Sequence, residues 1–110
     1  MKTAYYARCQ TIYGTPQEAR DISMLEYLGF RVLDFPSQES IDVQKRMHDN
    51  EPDWNVMDEI FRPIVEGSNV FFFRALPGGA VPAGVFKEIT YAEAAGIPVL
   101  EIPTFSIRDI

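Results

Sequence analysis

Asn69-Val70-Phe71-Phe72-Phe73-Arg74 is an apolar run of strand length with polar residues at both ends. A strand with one wet face alternates apolar and polar residues, whereas a strand covered on both faces has no need of polar positions. The run therefore predicts a central strand of a parallel sheet. Downstream, the Gly/Pro loop Ala75 to Pro82 leads into a helix over residues 85–95, where Val85, Ile89, Ala92 and Ala95 recur at helical spacing. Pro82 cannot sit in its interior and Gly96 closes it. Pro98-Val99-Leu100-Glu101-Ile102 then reads as the last strand, ending before Pro103. Upstream, Asn55 caps a helix that repeats Val56, Ile60 and Ile64 or Val65 on one side, with a kink or shift at Pro63 and a stop at Gly67. Residues 37–54 are polar and irregular, and the pattern suggests only a short helix around Ile41 to His48.

The first third of the chain repeats the strand-helix-strand rhythm. Thr3-Ala4-Tyr5-Tyr6-Ala7 is a first strand, and Arg8 to Gly14 is a loop. Thr15-Pro16-Gln17-Glu18 is a capping box with Pro at the first helical position, which starts a helix carried by Ala19, Ile22, Leu25 or Glu26, and Leu28 as far as Gly29. Phe30-Arg31-Val32-Leu33-Asp34-Phe35 is the second strand, ended by Pro36. Alternating strands and helices with right-handed crossovers make an α/β protein, a small three-layer flavodoxin-like sandwich with a parallel sheet of four or five strands in the order 2-1-3-4. In such sheets ligands bind beyond the carboxyl ends of the strands, where the strand order reverses. Arg8, Cys9 and Gln10 after the first strand, Arg74 and the 75–84 loop after the third, and Glu88 early in the last helix are the groups expected there.

At 110 residues, with 46% hydrophobic and 24% charged residues, the chain has the size and composition of a single domain, 1–110. A formal net charge of −6 excludes a duplex nucleic-acid surface, which concentrates Lys and Arg, although one arginine or a helix terminus can still hold a small anion. Cys9 and His48 are the only residues of their types, so neither an internal disulfide nor a thiolate metal cluster is expected. No run reaches the roughly 18 apolar residues of a membrane span, and the first eight residues are too short and polar for a signal peptide. The expected compartment is the cytoplasm.

Glu88 follows Val85 by three residues and precedes Ala92 by four, which places its carboxylate on or beside the buried face of the last helix. Burial costs free energy unless the group is hydrogen-bonded, paired with Arg74 or Lys87, or engaged with a ligand as a nucleophile. Asp58 lies in the first turn of the helix capped by Asn55, where an acid also suits the helix dipole. Arg8 and Arg74 each follow an apolar strand and either grip phosphate or a base edge or form ordinary ion pairs. Tyr6 and Tyr13 border a ligand or only the core edge.

These residues carry a resemblance. Tyr5-Tyr6-Ala7-Arg8 entering a loop, Phe35-Pro36 ending a strand, Met57-Asp58 opening a helix, the apolar strand after Ser68-Asn69, and Gly84-Val85-Phe86-Lys87-Glu88 leading into Tyr91-Ala92 together resemble the nucleoside 2-deoxyribosyltransferase superfamily. The nearer branch is that of the 2′-deoxynucleoside 5′-monophosphate N-glycosidases. The resemblance spans nearly the whole chain and implies a glutamate nucleophile at Glu88, supported by Asp58, that cleaves or transfers the base of a 2′-deoxynucleoside or its 5′-monophosphate. It implies substrate contacts from Tyr6, Arg8, Gln10, Tyr13, Arg74, Gly84 and Val85, phosphate contact above all from Arg8 with help from backbone N–H groups at the start of the Pro16 helix, no metal or organic cofactor, and a homodimer or higher homo-oligomer. Two departures stand out. Pro82-Ala83-Gly84-Val85 replaces the Asp-x-Gly-Thr of the transferases and so lacks the acid that protonates the leaving base, leaving Asp58, Asp34, a tyrosine or solvent to substitute. Thr90 stands where the transferases carry glycine. The alternative reading is a non-catalytic nucleotide-binding or sensing module of the same fold.

Overall fold

A computed structural model of the chain describes residues 1–33, 38–49, 51 and 54–102. Four strands form one parallel sheet: β1 (Lys2–Ala7), β2 (Phe30–Val32), β3 (Val70–Phe73) and β4 (Val99–Glu101), in the order β2-β1-β3-β4. The expected α/β architecture and strand order are those observed. The helices are α1 (Pro16–Tyr27), α2 (Gln38–Met47), α3 (Arg62–Glu66) and α4 (Ala83–Ala94). Among the described residues no helix is long and apolar enough to cross a membrane.

Strand parity divides the core into two clusters. Tyr5 and Ala7 of β1 and Phe71 of β3 face α3 and α4, packing with Val65, Val85, Tyr91 and Ala92. The alternate residues Ala4, Tyr6 and Phe72 face α1, packing with Leu25 and Ile102. Both inner strands are thus covered on both sides, as the apolar run 70–73 requires. The register opposes Tyr5 to Phe71, whose rings stack with centroids 5.3 Å apart, and Tyr6 to Phe72.

Local signals explain the element ends. Thr15 caps α1, its hydroxyl accepting from Glu18 N–H at 3.4 Å, while the Glu18 carboxylate reaches Gly14 N–H at 2.9 Å, one residue earlier than a reciprocal box would place it. Gly29 ends the turn after α1 at φ 98°, a left-handed conformation that favours glycine. Replacing Thr15 with alanine is expected to cost about 1 kcal/mol, seen as a melting midpoint lowered by roughly 4–8 °C. Asn55 Oδ1 accepts from Met57 N–H at 2.9 Å, as its capping role predicts. The following helix opens as a π-helical turn, Met57–Phe61, with Arg62 N–H bonded back to the Met57 carbonyl. This wide turn sits just ahead of Pro63, which has no N–H to continue the ladder, so the proline is absorbed by widening the helix.

Some boundaries and one buried face differ from expectation. The strand β2 spans Phe30–Val32, and Asp34 to Pro36 lie outside the described residues. The helix α2 begins at Gln38, earlier than Ile41. In α4 the buried residues are Val85, Glu88, Tyr91 and Ala92; Ile89 is half-buried, and Ala95 is exposed at the C-terminal cap. The buried stripe is turned toward Glu88 and Tyr91, and Tyr91 belongs to the core cluster on this side of the sheet.

Candidate functional site

A cavity of about 360 Å³ opens beyond the carboxyl end of β1 and against the first turns of α4, at the switch in strand order. The loop after β1 gives it Arg8, Cys9, Gln10, Thr11 and Tyr13. Pro82, Gly84, Val85 and Glu88 at the start of α4, and Met57, complete its lining. Its volume is in the range of small-molecule sites.

Glu88 is the cavity's only carboxylate among the described residues, and it is 6% exposed. Its partner is neither Arg74 nor Lys87. Tyr5, from the centre of β1, donates its hydroxyl to Glu88 Oε2. Burial raises the Glu88 carboxyl to about 7, against the opposing effects of the Tyr5 hydrogen bond and the Arg8 charge. Burial and the neighbouring Glu88 push the Tyr5 phenol far above its ordinary range, so it remains a donor.

Arg8 is clamped over the cavity edge. Its guanidinium lies 4.6 Å from the Tyr6 ring centroid and 4.8 Å from that of Tyr13. Its Nε donates to Glu18 at 2.9 Å and its Nη1 to the Tyr6 carbonyl at 2.8 Å. Cys9 is a free thiol whose titration is lowered by a hydrogen bond from Thr11. The first turn of α4 carries no side-chain cap, whereas that of α1 is occupied by Thr15 and Glu18. The start of α1 thus has one N–H already used by its cap, while the start of α4 lies at the cavity wall with no side-chain cap.

The structure brings Glu88, Arg8, Gln10, Tyr13, Gly84 and Val85 to one cavity. It does not bring Tyr6 or Arg74 there. Both share the parity of Phe72 and so face α1, across the sheet from α4. There Arg74 forms a bidentate ion pair with Asp21, Nε to Oδ2 at 2.6 Å and Nη2 to Oδ1 at 2.8 Å, and Tyr6 donates to the same aspartate. Asp58 stands off the cavity wall and accepts from Tyr91, which follows Glu88 by three residues on α4.

Two residues that matter were not singled out from sequence as site residues, Tyr5 and Asp21. Their signal was present. Adjacent tyrosines in a strand buried on both faces present two phenols on opposite sides, and each buried hydroxyl needs an acceptor. The acceptors are one carboxylate from each flanking helix. Among the described residues, no group of three or more His, Cys, Asp or Glu side chains converges to hold a metal ion. Compared with known proteins, the chain matches no family model, no curated protein and no solved structure.

Proposed function

We propose that the chain is an N-glycosidase that releases the base from a 2′-deoxynucleoside or its 5′-monophosphate, with Glu88 as nucleophile. The observation that carries this reading is the nine-tenths-buried Glu88 carboxylate, held by Tyr5 at the wall of a cavity large enough for a nucleoside. In the reaction, one Glu88 oxygen bonds to C1′ as the C1′–N bond breaks, and the departing base takes a proton from solvent, which the later attack of water on the glycosyl ester returns. Water then cleaves the glycosyl ester, giving the free sugar and restoring Glu88. The cation-like transition state at C1′ is stabilised by an ionised carboxylate beneath it. Tyr5 fixes which oxygen faces the sugar, and Asp58 orients the same helix face through Tyr91.

Gly84 gives independent support. Its φ is not in the left-handed range, and a Cβ there would meet no protein atom within 4 Å, so neither turn geometry nor packing explains a glycine in a helix's first turn. At the cavity wall, the glycine leaves the space open to a ligand. Incubation with the common 2′-deoxynucleosides and their 5′-monophosphates is expected to release free base, quantified by chromatography. Unchanged substrate at high protein concentration counts against the proposal. Adding a second free base separates transfer, which yields an exchanged nucleoside, from hydrolysis.

A non-catalytic binding module is favoured by one observation: among the described residues no second carboxylate lines the cavity to protonate a leaving base. Nucleotide binding without turnover, equally tight in Glu88→Gln, would support that reading.

A further inference from the structure

The cavity lies on the α4 side of the sheet, yet the strand that carries it is pinned from the α1 side. Tyr6, Asp21 and Arg74 are 1%, 3% and 7% exposed. Asp21 accepts from Tyr6, from Arg74 twice, and from Gln17 Nε2 at 2.8 Å. A buried ion pair adds little net stability, because desolvation of two charges offsets their attraction. What this one touches is the cavity wall. The Tyr6 carbonyl accepts from Arg8, and the Tyr6 ring lies under the Arg8 guanidinium. One residue earlier, Tyr5 reaches Glu88 from the same backbone. A displacement at Tyr6 is therefore carried both to Arg8 and to the Tyr5 hydroxyl.

We infer that Tyr6, Asp21 and Arg74 are positioning residues for the cavity, a latch on the far face of the sheet that sets where Arg8 and Tyr5 stand relative to Glu88. The ionisable groups acting on Glu88 from the surrounding elements are Tyr5 on β1, Arg8 and Tyr13 in the loop after it, and Tyr91 on α4. Of these, Tyr5 and Arg8 favour the ionised carboxylate, and both depend on the end of β1. Loosening the latch weakens both.

The test is titration of Glu88 in the full chain by carboxyl-carbon NMR, with its signal assigned by its loss in Glu88→Gln. Two variants release the latch by different routes. Tyr6→Phe removes one hydroxyl and keeps the ring under Arg8, while Asp21→Leu with Arg74→Met removes both charges and leaves neither unpaired. In each folded variant the Glu88 midpoint is expected to rise above its parent value by at least about 0.5 unit. An unchanged midpoint in either folded variant overturns the inference. Loss of folding in both also overturns it, because the cluster would then serve the core and not the cavity. The readout needs no substrate, so failure of base release is distinguishable from failure of the latch.

Discussion

Glu88→Gln is expected to abolish base release, lowering kcat by roughly 10⁴-fold or more, while yielding a protein that melts higher than the parent at neutral and alkaline pH. Both effects follow from one side chain. The amide oxygen still accepts the Tyr5 hydroxyl, so the local geometry is retained, but an amide neither attacks C1′ nor ionises. The parent carboxyl titrates at about 7 in the fold against an ordinary value of 4.5. A raised carboxyl means that the folded protein holds this proton more tightly than the unfolded chain does. Its stabilising contribution is complete below the ordinary value, declines as pH rises through the window, and is lost above about 7, at a cost of roughly 3 kcal/mol. Glutamine does not titrate there. The difference in stability between variant and parent should therefore grow from pH 5 to pH 8, measured by denaturant unfolding at both. Curves that differ equally at both pH values would show that Glu88 is not buried as a titrating acid. For the parent, kcat/KM should rise with pH through about 7, because the nucleophile is the ionised form. A rate that falls through this region would assign Glu88 the role of proton donor instead.

The sheet was legible in the chain because its signals are local and redundant. The run Val70 to Phe73 requires two covered faces, Thr15-Pro16 starts α1 sharply, Gly29 ends that same helix, and Gly96 ends α4. The site was only half legible, for a reason of geometry. Topology brings the ends of β1 and β3 together, which is why Arg8, Gln10 and Glu88 meet, but it says nothing about which alternate residues of a strand face which layer. A shift of one residue exchanges the two faces. Tyr6 and Arg74 stand at the expected edge of the sheet yet on the α1 side, and Tyr5 occupies the place beside Glu88. Packing of Tyr5 and Phe71 against α3 and α4 settles that parity, through long-range contacts with no local signature. The π-helical turn before Pro63 is similar: the proline announces a disturbance, but nothing in the local sequence says whether the helix kinks or widens.

Asp21→Ala is expected to be among the most destabilising single polar substitutions in this chain, at about 3–5 kcal/mol, or a melting midpoint lower by on the order of 20 °C. The loss does not measure the worth of the ion pair. It measures the cost of leaving the Arg74 guanidinium, 7% exposed, without the carboxylate that meets two of its nitrogens. Burial alone would raise the Asp21 carboxyl, yet the Arg74, Tyr6 and Gln17 hydrogen bonds hold it below its ordinary value, so the aspartate is ionised throughout the neutral range. Its contribution is accordingly present above the ordinary carboxylate range and lost as pH falls through the lowered value. Adding Arg74→Met to Asp21→Ala removes the stranded charge and should recover most of the lost stability. Strong non-additivity in that double-mutant cycle identifies a coupled pair, whereas additive losses would mean that each side chain packs independently. Tyr6→Phe should fall between these extremes, because Asp21 keeps Arg74 and Gln17 when the hydroxyl is gone. Recovery of the fold without recovery of the Glu88 titration would separate what the pair does for stability from what it does for the cavity.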